Sequence, residues 1–333
     1  MNRLCRGRLF SAAAQWIRDH NSEFRIPNSE LTNVSILPSL LFTILERMIY
    51  MFIHETLKGR VAVVTGGGGV LCSGFAKALA RQGAKVAVLD LNEAAAQKVA
   101  DEIKAAGGEA IAVGCNVLDK ESMLQAREKI NAAFGTCDIL LNGAGGNNPR
   151  GTTTKETLEA IDLVEKDPSV KTFFDLDPEG ISFVFNLNFL GTLIPTQVFA
   201  PDMARKKNTC IVMITSMNAY RPLTKIPAYS AAKAAVQNFT QFMAVHFADC
   251  GIRVNAIAPG FFSTNQNKTL LWNDDGTPTP RTGKILAATP MKRFGEPEEL
   301  EGALLFLCDE SYSGFITGTT IAVDGGFNAY SGV

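Results

Sequence analysis

Residues 61–72 read VAVVTGGGGVLC, and the passage from Val61–Thr65 into Gly66, Gly67, Gly68 and Gly69 decides how the rest of the chain is read. Four residues of valine and alanine with no polar alternation describe a strand buried on both faces. Such a strand belongs in a parallel sheet, because crossover helices do the covering. The glycines let the backbone turn sharply. Phe75, Ala76, Leu79 and Ala80 then give residues 70–82 one apolar helical face. Strand, glycine turn and helix together make a cradle for a phosphate, since the first N–H groups of the helix and its dipole both favour an anion. Many strand–helix turns contain glycine, so the weight of this stretch depends on what surrounds it.

The same alternation continues outward. Short apolar runs at 85–89, 110–113, 138–141, 210–215, 253–257 and 320–323 read as strands. Helical patterns fall at 92–106, 120–134, 181–206, 230–249 and 298–308, with Pro195 and Pro201 expected to bend or interrupt the long one. This order predicts an α/β fold: a single doubly wound Rossmann-type domain, its parallel sheet covered by helices on both faces. Stretches 146–180 and 262–297 are long for loops and begin at carboxyl ends of strands, where ligands bind in such sheets. Both are expected to be lids.

Residues 1–53 do not fit the pattern. Arg3, Arg6, Arg8 and Arg18 precede or adjoin the first acid, Asp19. The apolar-leaning stretch 34–45 holds Pro38 and is too short to span a bilayer. Residues 1–53 therefore read as an N-terminal extension, non-native or disordered, ahead of a domain over 54–333. Translation from Met48 or Met51, an organellar targeting segment and an oligomer contact are the readings left open. The chain of 333 residues, 46% hydrophobic and 20% charged, has the make-up of an ordinary globular protein. A net charge of −1 offers no basic field for nucleic acid. The seven cysteines form no CxxC pair and the three histidines are dispersed, which argues against a metal site or disulfide framework. A cytoplasmic protein with no membrane or nucleic-acid partner is expected.

Two further groups of residues carry chemistry. Asp90 closes the second strand, where an acid accepts hydrogen bonds from an adenosine ribose and repels a 2′-phosphate. No basic residue follows at Leu91 or Asn92, which favours NAD over NADP. Tyr229 and Lys233 lie four residues apart and share a helix face. The lysine charge is expected to lower the tyrosine pKa, and the phenol to protonate a carbonyl oxygen as hydride reaches its carbon. Ser216, at a strand end, is placed to hold the same oxygen. A YxxxK spacing is common on amphipathic helices; here it coincides with the glycine turn, Asp90 and Asn142-Gly143-Ala144-Gly145.

With these motifs, residues 57–333 resemble the short-chain dehydrogenase/reductase family: VTGGGGVL at 64–71, NGAG at 142–145, NFLG at 188–191, Ser216, YSAAK at 229–233 and PGFFST at 259–264. The resemblance implies a catalytic group of Asn188, Ser216, Tyr229 and Lys233. Asn188 would hold a helix kink and a water linked to Lys233. It implies a cofactor, NAD (NADH), bound by Gly66, Gly69, Leu71, Asp90, Asn116, Val117, Asn142, Ala144, Gly145, Tyr229, Lys233, Pro259, Gly260, Phe262 and Thr264. It also implies a homotetramer or homodimer, from the closing TGTTIAVDGG. The chain departs from the family's TGxxxGxG turn, with Val70 and Cys72 at the last two glycine positions unless Gly69 serves in a shorter turn. Gly143 replaces the second Asn of the usual NNAG, and Asn116 stands where Asp is frequent.

The segment 142–188 is longer than the family norm. With GGNNPRGTT at 145–153, TSMNAYRPLTKIPAYSAAK at 215–233 and GFFSTNQNKTLL at 260–271, it resembles the D-mannonate oxidoreductase (fructuronate reductase) branch. That implies interconversion of D-fructuronate and D-mannonate. Asn147, Asn148, Asn218, Asn265, Gln266 and Asn267 suit a polyhydroxylated sugar acid, since amides both donate and accept. Arg150, Arg221, Lys225 and Arg281 are candidates for its carboxylate. The expected substrate-binding residues are Asn147, Arg150, Asn218 and Arg221, with Arg150 first for the charge. A polyol or gluconate-type dehydrogenase, and a nucleotide-sensing protein without chemistry, are the alternatives.

Overall fold

The computed structural model describes residues 54–165, 167–263, 271–273 and 275–332. In chain order its strands are β1 (Val61–Thr65), β2 (Lys85–Asp90), β3 (Glu109–Gly114), β4 (Ile139–Asn142), β5 (Thr209–Ile214), β6 (Ile252–Pro259) and β7 (Thr320–Val323). The valine run at β1 is buried throughout and lies inside the sheet, paired with β2 on one side and β4 on the other. The sheet order is β3-β2-β1-β4-β5-β6-β7, every pair parallel. The chain therefore works outward from β1 to β3 and returns to β4, so the order reverses between β1 and β4. Ligand crevices open at such a point.

Two cores cover the sheet. On one face Ala62, Val64, Val86, Val88 and Leu141 meet α1 (Val70–Arg81) and α2 (Glu93–Ala105) through Phe75, Leu79, Val99 and Ile103. On the other, Val61, Val63, Leu89, Leu140, Ile211 and Met213 meet α3 (Lys120–Phe134), through Met123 and Ile130, and the long helix α4 (Pro178–Met203), through Val198, Phe199 and Met203. Helix α4 is long and apolar enough to cross a membrane by composition, but half of its most apolar stretch is buried inside this fold. Then come α5 (Pro227–His246), α6 (Pro280–Ala288) and α7 (Glu301–Cys308). All seven expected strands and the alternation of helices are present.

Two local expectations are corrected. Pro195 and Pro201 lie inside the last α-helical part of α4, Gly191–Met203, which continues through them. The irregularity comes earlier, as a π-helical turn at Asn186–Leu190. There Asn188 Nδ2 donates to the carbonyl of Val184, four residues back, and so satisfies backbone that the extra residue in the turn would leave unpaired. The stretch 262–297 also contains a helix, α6, capped by Thr279, whose side chain accepts from the Thr282 N–H.

Candidate active site

A cavity of about 660 Å³ runs along the carboxyl ends of β1 to β6. Its glycine wall is stereochemically specified. Gly66 has φ +64°, and a Cβ there would lie 2.9 Å from Ala144 Cα. Gly69 is the N-cap of α1 and offers no capping side chain, so the first-turn N–H groups of α1 beside the cavity suit an anionic ligand. Asp90 Oδ2 accepts the Gly68 N–H at 3.0 Å and Oδ1 accepts the Asn92 N–H at 2.9 Å. That pins the carboxylate at the end of β2 and leaves lone pairs for ribose hydroxyls.

Of the residues expected to hold a dinucleotide, Gly66, Gly69, Leu71, Asp90, Asn116, Val117, Ala144, Gly145, Tyr229, Lys233, Pro259, Gly260 and Phe262 line this cavity. Asn142 does not. Its side chain is buried, and Nδ2 donates to Thr196 Oγ1 at 2.9 Å, tying β4 to α4. Thr264 lies outside the described residues. The sequence reading missed Cys72, Leu91, Leu187, Phe261, Leu271, Ile285 and Phe294, which also line it. Most are apolar, and nothing in their spacing sets them apart from core residues.

The two departures in the glycine motifs meet each other in space. A Cβ built on Gly143 would lie 2.2 Å from Cys72 Sγ. The cysteine side chain therefore occupies room that a side chain at 143 would need. Burial pushes the Cys72 thiol up to about 12, so it is a neutral packing group and not a nucleophile.

At the other end, Ser216 follows β5 in an extended conformation, its Oγ accepting the Asn218 N–H at 3.2 Å. Tyr229 and Lys233 project from one face of α5, and Ser216, Tyr229 and Lys233 all border the cavity. Lys233 is buried; Nζ donates to the Ile214 carbonyl at 2.8 Å and lies 5.6 Å from the Tyr229 ring centre. Burial presses its pKa from 10.5 down to about 8. Burial raises the Tyr229 phenol above its ordinary value, with the Ser216 hydroxyl pulling it partly back. This corrects the expectation of a phenol lowered by Lys233: burial is the dominant effect on the phenol, and the lysine amine is turned to a backbone carbonyl.

Asn188 stands behind this group. Nδ2 donates to the Gly146 carbonyl at 2.7 Å and Oδ1 accepts the Gly146 N–H at 3.2 Å. A Cβ on Gly145 would lie 2.6 Å from Asn188 Oδ1 and 3.1 Å from Lys233 Nζ. Asn188 is thus a positioning residue, bracing the loop after β4 against Lys233. The arrangement lets two hydroxyls, of Ser216 and Tyr229, meet one oxygen on a bound molecule. Proton transfer from a placed acid is worth roughly 10²–10⁴ in rate.

The expected substrate residues are placed differently. Arg150 is off the cavity: Nε donates to Asp177 Oδ2 at 2.5 Å and Nη2 to Glu179 Oε2 at 2.7 Å, closing the insertion onto the start of α4. Arg221 is also committed elsewhere, Nη1 donating to the Tyr330 carbonyl at 2.5 Å. Asn147 is exposed and donates to Thr152 Oγ1 at 3.1 Å. Asn218 is buried but does not line the cavity. Lys225 does not line it either. Asn265, Gln266 and Asn267 lie outside the described residues. Arg281, on α6, does line the cavity.

Comparison with known proteins places this geometry. The family profile described as enoyl-(acyl carrier protein) reductase matches residues 70–328. An uncharacterized oxidoreductase of Haemophilus influenzae is 58% identical over 280 residues, covering 84% of this chain and 97% of that protein. A solved structure from Haemophilus influenzae, provisionally assigned as a D-mannonate oxidoreductase and holding NAD, has a TM-score of 0.80 at 58% identity over 83% of this chain and 97% of that one. The uncharacterized oxidoreductase UxuB of Bacillus subtilis is 54% identical, over 84% of this chain and 99% of its own. The 7α-hydroxysteroid dehydrogenase of Escherichia coli K12 is 31% identical, over 83% and 98%. The parallel seven-stranded sheet, the glycine turn answered by Asp90, and Ser216 beside Tyr229 and Lys233 agree with these matches: the chain belongs to the short-chain dehydrogenase/reductase family.

Proposed function

We propose that this chain is an NAD-linked oxidoreductase acting on a sugar acid, interconverting D-fructuronate and D-mannonate. The observation that carries the reading is the convergence of Ser216, Tyr229 and Lys233 on one cavity, in a chain 58% identical to a protein that holds NAD. Asp90 supports NAD over NADP, since its charge repels a 2′-phosphate. The provisional assignment of the Haemophilus influenzae structure supports the substrate class.

When bound, the nicotinamide supplies or accepts the hydride. The chain's own residues do the rest. Ser216 donates a hydrogen bond to the substrate oxygen and holds it beside Tyr229. Tyr229 delivers the proton that turns the carbonyl into an alcohol, and takes it back in the reverse direction. Lys233, charged at neutral pH, favours the phenolate left behind and binds ribose hydroxyls. Asn188 fixes the loop against which Lys233 packs. A homotetramer or homodimer fits the apolar side chains exposed on α4 and α5, among them Phe183, Leu190, Phe242 and Val245. A cytoplasmic site suits the scattered cysteines.

The test is a panel of hexuronates, aldonates, neutral polyols and a 7α-hydroxysteroid with the purified chain, followed by NADH absorbance. D-Fructuronate with NADH, or D-mannonate with NAD, should be turned over fastest. A clear preference for the steroid or for neutral polyols would overturn the sugar-acid reading.

A further inference from the structure

We propose that Arg281 selects the anionic substrate by pairing its carboxylate at the α6 end of the cavity. The inference rests on the sugar-acid reading and adds the residue that reads the charge. Among the described residues, three charged side chains line the cavity: Asp90, Lys233 and Arg281. Asp90 ends β2, and Ser216 follows β5. In the order β2-β1-β4-β5 they are three strand spacings apart, about 14 Å at roughly 4.8 Å each. Asp90 therefore belongs to the adenosine end. Lys233 is buried, and its amine is turned to the Ile214 carbonyl. Among the described residues, that leaves Arg281 as the cavity-lining cation whose charge is open to a ligand.

The surroundings of Arg281 agree with this. No carboxylate among the described residues forms an ion pair with it, whereas two other cations of the same stretch are matched. Lys284, one turn further along α6, pairs with Glu156 at 2.8 Å, and Arg293 pairs with Glu299 at 2.6 Å. Three acids of the insertion are likewise taken: Asp162 by Lys155, and Asp177 and Glu179 by Arg150. The helix that carries Arg281 is held in place. Thr279 caps it, and Ile285 packs with Leu271 and Phe294. The Lys284–Glu156 pair ties it to the insertion. A guanidinium so placed has the planar fork that meets a carboxylate in two parallel hydrogen bonds.

The experiment compares Arg281→Ala and Arg281→Lys with the wild type on D-mannonate and its neutral counterpart D-mannitol, with NADH affinity measured on each protein. NADH binding also reports that the variants fold. Loss of a charge-assisted hydrogen bond should lower kcat/KM for the acid by roughly 10- to 100-fold, mainly through KM, with the neutral polyol little changed. Arg281→Lys should recover part of the loss, keeping the charge without the fork. If the wild type acts on D-mannonate and Arg281→Ala leaves its kinetics unchanged, the role of Arg281 is refuted and the sugar-acid reading stands. Equal losses on acid and polyol, or a matching fall in NADH affinity, would also refute it, assigning Arg281 to lid shape or to the cofactor. If the wild type prefers D-mannitol to the acid, the sugar-acid reading falls and the inference falls with it.

Discussion

Lys233 offers a measurement that needs no substrate. Its amine is buried against the Ile214 carbonyl and its pKa is pressed from 10.5 to about 8. Between those values the unfolded chain still binds the proton that the folded chain has released, so stability rises with pH in that window. The 2.5 or so pH units between them, each worth about 1.4 kcal/mol, come to about 3 kcal/mol. Below pH 8 the folded protein bears the full cost of a buried ammonium; above about 10.5 that cost is gone. Lys233→Met keeps the length of the side chain and removes the titration. Urea unfolding of both proteins at one concentration, from about pH 7 to above 10.5, isolates the effect because groups distant from Lys233 titrate alike in both and cancel, and the Cys72 thiol it touches electrostatically titrates only near 12. The wild type should gain about 3 kcal/mol on the variant across the window. Saturating NADH should move the transition to higher pH, since ribose hydroxyls give the ammonium new acceptors. Parallel stability curves, or a gap that moves the other way, would refute the assignment of a destabilised buried charge.

Three other outcomes follow from the geometry. Tyr229→Phe should cost roughly 10²–10⁴ in kcat and leave NADH affinity near the wild-type value; near-normal turnover would remove Tyr229 from proton transfer. Asp90→Ala combined with Leu91→Arg should raise NADPH use relative to NADH; because Asp90 also holds the Gly68 and Asn92 N–H groups, the melting temperature should fall as well, and wild type already preferring NADPH would contradict the reading. Gly145→Ala should destabilise by about 1–3 kcal/mol and lower kcat, since the new methyl meets Asn188 Oδ1 and Lys233 Nζ; an unchanged melt with unchanged kcat would mean the loop yields freely.

What the chain discloses before folding divides along physical lines. The strand Val61–Thr65 was legible to the residue, because its run of apolar side chains is itself the cause of burial on both faces; Thr320–Val323 matched its expected bounds as a half-buried edge strand. Asp90, Ser216, Tyr229 and Lys233 were legible because each sits at a fixed offset from a strand end or a helix turn. Arg150 illustrates the other case. Its place just beyond β4 suggested reach into the cavity, but Asp177 and Glu179, far along the chain, claim its guanidinium. Partners of that kind leave no local pattern. Asn142 misled for a similar reason: it opens the NGAG motif, yet its amide is spent on Thr196 of α4. Helix α6 was hidden because Pro280, Thr282 and Gly283 dilute the apolar period that Ile285 and Leu286 would otherwise show.

The contact between Cys72 and the bare α-carbon of Gly143 also bears on how such a site changes by single substitutions. In the pattern that the family resemblance supplies, glycine stands at 72 and asparagine at 143. Were the cysteine to arrive first, its sulfur would lie 2.2 Å from the place of the asparagine Cβ and would have to turn out of its seat. Were the glycine to arrive first, the lost side chain would only widen a crevice already open to solvent, and water would fill it. The route through glycine is the passable one. The first turn of α1 and the loop after β4, seventy-odd residues apart, thus constrain each other through this contact. A chimera that grafts either segment alone from a relative of the usual pattern inherits a gap or a collision in the cavity wall, and only exchange of both restores it.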